Sequence, residues 1–460
     1  MSRRRGWWRV TGPLVAALLG AGCAATVPGT PVAGDGVSRG EVDPFFVHGT
    51  DGGPTDRLAA STVTDVLQFW RQRFEPTFGK PWRDLRGGFY SVDTNSRTAR
   101  PAPCTSKAAE VEGNAFYCPG EDAIAWDRAA LLPVLREEFG DAAVVVVLAH
   151  ELGHAVHHRA GIGVAEQREQ PQRYPTILTE AMADCYAGAF VRWVSDGQAP
   201  HLRITGEQLD SALGALITFR DPVGTSRADS GAHGNAFDRV SAFQDGFRQG
   251  PKLCAGMTVH NRTFTQTSFA SFEDRATGGN LDFGRIVESV GDDLDGYFAS
   301  LLSERGKAWE KPTIRATRGV PGCEGGRQGP VAFCPNTRSI ELDTSDILPE
   351  LHKQIGDYAT GTLLASRYGM ASLVALGRRA DGDDAGRTAL CLAGAYTGAI
   401  AARREGFGLS PGDLDEAVQV LLADDYASRD LWGRGIDSGF DRVDVFRDGA
   451  LNGPKACGLN

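Results

Sequence analysis

His150-Glu151-Leu152-Gly153-His154, inside the run Ala142–Arg159, decides how this chain is read, together with Thr179-Glu180-Ala181-Met182-Ala183-Asp184 further on. Residues four apart on a helix share a face, so His150 and His154 can grip one metal ion. Glu151 projects beside them, where a carboxylate can take a proton from a metal-activated water. Glu180 offers the third ligand of a zinc site whose fourth position stays open. The metal spacing requires a helix from Ala142 to Arg159, capped by Asp141 and stopped by Gly161. Val144 to Val147 would favour a strand by propensity, which burial in a core must override. A second helix is expected over Ile177–Val194. It places Glu180 and Asp184 on one face, with Asp184 accepting a hydrogen bond from a ligand histidine. His233, in the glycine-rich Gly231-Ala232-His233-Gly234, is the candidate donor to the oxyanion of an attacked carbonyl.

Outward from this core, the chain begins with an export signal over residues 1–23. Arg3, Arg4 and Arg5 precede the apolar run Pro13–Gly20, and Gly20-Ala21-Gly22-Cys23 closes it with small residues. An ending on cysteine resembles a bacterial lipobox, with Cys23 lipidated and the mature chain anchored to a membrane. A plain secretory signal, or an uncleaved anchor, is the alternative. Residues 24–60, rich in Gly, Pro, Thr and Asp, read as a flexible tether. A net charge of −10 argues against nucleic acid and anionic lipid surfaces as partners. The expected location is the cell envelope, outside the cytoplasm.

The remainder is too long for one core and contains an internal repeat. Gly250-Pro251-Lys252-Leu253-Cys254 recurs as Gly453-Pro454-Lys455-Ala456-Cys457, and Phe237-Asp238-Arg239-Val240 as Phe440-Asp441-Arg442-Val443. Cys185-Tyr186-Ala187-Gly188-Ala189-Phe190 matches Cys391-Leu392-Ala393-Gly394-Ala395-Tyr396. Phe116-Tyr117-Cys118-Pro119 matches Ala332-Phe333-Cys334-Pro335. Two tandem copies are expected, over 61–270 and 282–460. Without Cys23, eight of the nine cysteines remain, an even number in an exported chain. Pairing within each copy gives Cys104 with Cys118, Cys185 with Cys254, Cys323 with Cys334, and Cys391 with Cys457.

The second copy keeps the cysteines and glycines and loses the chemistry. Ser366 stands at the position of His150, Arg367 at Glu151, Met370 at His154, Gly386 at Glu180, Leu390 at Asp184 and Ile436 at His233. Arg239 keeps a counterpart in Arg442 and so reads as structural. His157 and His158 read as solvated helix-end residues, although His154 and His158 share the four-residue spacing. His48, His201 and His260 read as surface residues.

The residues His150 to His154, Leu178 to Gly188, Phe116 to Pro119 and His233-Gly234 resemble the bacterial neutral zinc metallopeptidase family. The resemblance covers the first copy and implies a gluzincin-like peptidase. In it His150, His154 and Glu180 hold Zn2+ and Glu151 is the catalytic base. The fold expected is α+β and mostly helical, the metallopeptidase domain being followed by a degenerate copy. The function expected is an exported, lipid-anchored zinc endopeptidase acting on a peptide or protein substrate. Two alternatives stand beside it: a non-catalytic zinc-binding envelope lipoprotein, and a zinc amide hydrolase acting on cell-wall peptides.

Overall fold

The computed structural model describes residues 36–459, apart from 230 and 404. The expected signal peptide over 1–23, with Cys23, and the first part of the tether lie outside the described residues. Residues 36–60 are not a tether. Val37 and Val47 are buried, Ser38 bridges to Leu202, and a long helix has begun by Pro54. Composition marks this stretch as irregular, but its two valines find apolar cover against the rest of the chain.

The first half runs β1 (Val47–His48), α1 (Pro54–Phe78), β2 (Gly88–Val92), β3 (Ala115–Cys118) and β4 (Ala123–Asp127). It continues with α2 (Leu131–Phe139), α3 (Asp141–Ala160), α4 (Val164–Glu169), α5 (Thr176–Ser195), α6 (Gly206–Thr218), α7 (Ala236–Gln249) and α8 (Pro251–Ala255). After the short α9 (Phe272–Thr277), the second half runs α10 (Phe283–Ser303), β5 (Thr313–Thr317), β6 (Val331–Cys334) and β7 (Ser339–Asp343). It ends with α11 (Ile347–Gln354), α12 (Asp357–Ala375), α13 (Asp383–Ala401), α14 (Asp413–Ala423) and α15 (Gly439–Asn452). The fold is α+β and mostly helical, as expected.

The strand order is β1-β2-β4-β3 in one sheet and β5-β7-β6 in the other. In each, a parallel pair (β2 with β4, β5 with β7) is followed by an antiparallel one (β3 with β4, β6 with β7). β3 and β6 are therefore edge strands. α3 and α12 lie against these edges and between the other long helices. That position explains the valine run. Val144, Val145 and Val146 are all fully buried, and a helix covered all round can be apolar all round. The N-cap of α3 is Gly140 rather than Asp141, which is the first helical residue and pairs with Arg136 at 2.7 Å.

Two glycines per half let the last long helices touch backbone to backbone. A Cβ at Gly188 would collide with the Phe243 carbonyl, and one at Gly246 with the Cys185 carbonyl. Gly394 and Gly449 meet Phe446 and Cys391 in the same way. The disulfides Cys185–Cys254 and Cys391–Cys457 close over these crossings, and Cys104–Cys118 and Cys323–Cys334 close the shorter loops. The chain-entropy relation gives each long bridge about 4 kcal/mol.

The halves pack through α6, α7, α14 and α15. The contacts are reciprocal. Asp210 of α6 accepts from the N–H groups of Gly439 and Phe440 at the start of α15, at 2.6 and 2.7 Å. Asp415 of α14 accepts from the Phe237 N–H at the start of α7, at 3.3 Å, and pairs with Arg220 at 3.0 Å. Each half thus places a carboxylate on the N-terminus of the other's last long helix, where the helix dipole favours it.

Candidate metal centre

α3 and α5 cross where neither has a bulky side chain. A Cβ on Gly153 would come within 2.8 Å of the Ala183 backbone. The crossing turns His150 and His154 of α3 toward Glu180 and Asp184 of α5. His150 Nε2 and His154 Nε2 lie 3.1 Å apart, and Glu180 Oε2 is 3.2 Å from the first and 3.6 Å from the second.

The outer nitrogens fix the protonation pattern. His150 Nδ1–H donates to Asp184 Oδ1 at 2.7 Å, and Asp184 is itself held by Arg239 through two bonds of 2.9 Å. His157 Nδ1–H donates to the Ile162 carbonyl at 2.7 Å, so its Nε2 is free to accept from His154 Nδ1–H at 3.1 Å. Both imidazoles therefore present an Nε2 lone pair inward. Glu180 Oε2 is buried and receives no hydrogen bond. With both imidazoles neutral, three acceptors converge with no donor among them. A cation resolves that arrangement, and two imidazole nitrogens with a carboxylate oxygen are a zinc donor set.

Without an ion, the cluster attracts a proton instead. Burial disfavours charge on His150, but Asp184, Glu180 and Glu151 outweigh it and push the imidazole up to about 10. Burial holds His154 down to about 3, with the charge on His150 adding to the effect. Burial also opposes charge on Glu180, yet His154 and His150 hold it down to about 2. Glu151 rises to about 7, because its burial outweighs the attraction of His150. Glu151 Oε2 accepts the Tyr117 N–H of β3 at 3.0 Å, which fixes the carboxylate beside the edge strand.

A cleft of about 500 Å³ opens over these groups, walled by β3, α3 and α5. His233 lines it from the far side, half-exposed, with its backbone N–H donating to Asp221 at 2.8 Å. Its ring Nδ1 lies 3.4 Å from the same carboxylate, which raises the affinity of His233 for a proton. All six residues singled out by sequence thus border or support one cleft.

Four residues were misread or missed. Arg239 is not merely structural, since it anchors the carboxylate that orients His150. Arg442, with Leu390 in place of that carboxylate, turns to the carbonyls of Leu421, Leu422, Ile436 and Asp437. His157 is buried rather than solvated, and it orients His154. Only its three-residue spacing from His154 carried any signal. The role of the Tyr117 N–H carried none, because a backbone group has no sequence identity. His201 also has a partner, the buried Asp65 at 2.6 Å.

Comparison with known proteins points to the same part of the chain. Residues 48–257 match the family described as "Putative neutral zinc metallopeptidase". The match covers 210 of the 460 residues, a little under half of the chain. An uncharacterized protein of Mycobacterium tuberculosis is 30% identical over 164 residues, which cover 32% of this chain and 56% of the relative. The uncharacterized protein YpfJ of Escherichia coli is 27% identical over 223 residues, covering 44% of this chain and 72% of the relative. The chain thus spans little more than half the length of the mycobacterial relative. No solved structure matches it. Among the described residues, no helix is long and apolar enough to cross a membrane, and the four disulfides fit an oxidising compartment.

Proposed function

We propose that the protein is an exported, lipid-anchored zinc endopeptidase. His150, His154 and Glu180 hold the metal, Glu151 is the general base, and the second half is a degenerate copy without chemistry. The observation that carries this reading is the convergence of His150 Nε2, His154 Nε2 and the unpartnered Glu180 Oε2 beside Glu151. When bound, Zn2+ would supply Lewis acidity to a substrate carbonyl and acidify a water molecule.

The chain's own residues do the rest. Glu151, buried and held at Oε2 by Tyr117 N–H, takes the proton of the attacking water and returns it to the leaving amine. An affinity for protons near neutrality suits both transfers. Asp184, braced by Arg239, keeps the Nδ1 proton on His150 and so its Nε2 lone pair inward. His233 donates to the oxygen on which charge develops. β3 is an edge strand along the cleft, so an extended peptide can add to it by main-chain hydrogen bonds. That edge favours a peptide substrate over a compact amide.

The test is the zinc content of the purified protein beside Glu151→Gln, with both assayed on a mixed peptide library. One zinc per chain in both, with cleavage by the wild type alone, supports the proposal. Zinc in both with cleavage by neither moves the reading to a zinc-binding envelope module. Wild-type protein that takes up no zinc overturns it.

A further inference from the structure

A second cluster of buried oxygen donors lies in the other half, where the fold repeats a motif of the first. Leu131 to Asp141 aligns without gaps on Ile347 to Asp357, so Asp141 and Asp357 both open a long helix after a glycine. Helices α6 and α14 align through their reciprocal interface residues, Asp210 and Asp415, which pairs Gln208 with Asp413 and Ser211 with Glu416. In the first half, Arg136, Asp141, Gln208 and Ser211 line one small cavity, and the Arg136 guanidinium neutralises Asp141 at 2.7 Å. In the second half, arginine has become His352, and the two neutral residues have become carboxylates.

Asp357, Asp413 and Glu416 are all buried, each with an oxygen within 4.8 Å of the others. Each spends one oxygen on a backbone N–H: Asp357 on Leu281 at 2.7 Å, Asp413 on Ser410 at 2.8 Å, Glu416 on Tyr358 at 2.7 Å. The remaining oxygen of Asp413 is buried and has no partner, and Asp357, equally buried, shares a hydrogen bond with the Glu416 carboxyl group; the residue exposures are 4% and 2%. Asn280 Oδ1, one residue before Leu281, is also buried and unpartnered. The largest charges acting on Asp413 and Glu416 are other carboxylates, Asp357 and Asp415 among them.

We infer that Asp357, Asp413 and Glu416 form a structural site for one hard divalent cation, Ca2+ or Mg2+, replacing the internal arginine of the first half. Oxygen-only donors with three carboxylates suit these ions and not zinc. Glycines make room for the carboxylates: a Cβ on Gly356 would overlap the Glu416 carboxyl group. The loop Ser410–Gly412 ahead of Asp413 also walls a cavity of about 560 Å³ between the halves, which brings the cluster within one loop of accessible space. The ion would tie the starts of α12 and α14 to the segment that enters α10.

The test uses the full chain, stripped with chelator and reloaded with one equivalent of Zn2+. It is then titrated with CaCl2 or MgCl2 by calorimetry and thermal unfolding. The expected result is one further ion per chain and a Tm rise of about 5 °C at saturation, the larger response naming the ion. Asp413→Asn with Glu416→Gln should bind no second ion, show no Tm response and fold without one, since the repulsion is gone. Asp357→Asn gives a second variant if the double substitution does not fold. A wild type that binds no second ion at millimolar Ca2+ and Mg2+ overturns the proposal, as does equal binding by the variants. The three carboxylates would then be held by shared protons alone.

Discussion

The two halves place different atoms at the same point of one scaffold. At the α3–α5 crossing, Gly153 faces Ala183; at the α12–α13 crossing, Gly369 faces Ala389. Around the first, acceptors converge without a donor. Around the second, the side chains that replace that set are paired. Arg367, fully buried where Glu151 stands in the first half, donates to Gln328 and to the carbonyls of Tyr426 and Arg429. Ser366 donates to the Ala427 carbonyl, and Gly386, at the position of Glu180, gives its side-chain space to the Ser428 carbonyl. The edge strand is closed as well. The Phe333 N–H, counterpart of the Tyr117 N–H that holds Glu151, goes to Gln328 Oε1, and the Gln328 amide returns to the Phe333 carbonyl. A site stays reactive by leaving groups unsatisfied, and a degenerate copy gains stability by satisfying them.

The largest effect should come from the paired positions 151 and 367. Glu151→Gln should lower hydrolysis by about 10³-fold with zinc retained. Arg367→Gln should leave hydrolysis intact and cost about 2 kcal/mol or more in chemical denaturation, because it strands buried carbonyls. Equal losses of activity from both would break the contrast.

Next come positions 184 and 390. Asp184→Asn should weaken zinc affinity by about 10–100-fold in a competition titration, since His150 loses the partner that orients it. Leu390→Ala should leave zinc affinity unchanged and cost about 2–5 kcal/mol of stability through the cavity it opens.

The scaffold itself should respond alike in both halves. Gly188→Ala and Gly394→Ala each force a methyl into a facing carbonyl, at a cost of about 1–3 kcal/mol in urea unfolding. A large effect in one half and none in the other would show that the crossings are not equivalent.

The smallest effect concerns the interface between the halves. Burial raises Asp415 to about 6, against the pull of Arg220. Its folded pKa exceeds the unfolded value, so its contribution is complete below about pH 4 and is lost as pH rises through 6. Asp415→Asn does not titrate, so its stability relative to wild type should improve by about 1 kcal/mol between pH 5 and pH 7. A constant difference across that range would show that Asp415 is charged at the interface throughout.

Much of this was legible in the residues. The spacing of His150 with His154 and of Glu180 with Asp184 is helical geometry written directly into the chain, and the cysteine blocks gave their own pairing. The lower bound of the folded region was not legible, because Val37 and Val47 are isolated apolar residues in a loop-like composition. Nor was the importance of Arg239. Its counterpart Arg442 is conserved in type, but the two bind different partners, and type alone cannot show a partner.

By itself, then, the sequence determined which histidines and carboxylates share a helix face and which half carries them, since local periodicity assigns residues to helix faces. Tertiary structure alone decided that the Tyr117 N–H holds Glu151, that His157 orients His154, and that Gln328 closes the edge of β6. It also decided that Asp357 of α12 meets Asp413 and Glu416 of α14 behind one loop. Those outcomes depend on which backbone groups come within hydrogen-bonding distance after the helices cross, and no short-range pattern encodes that.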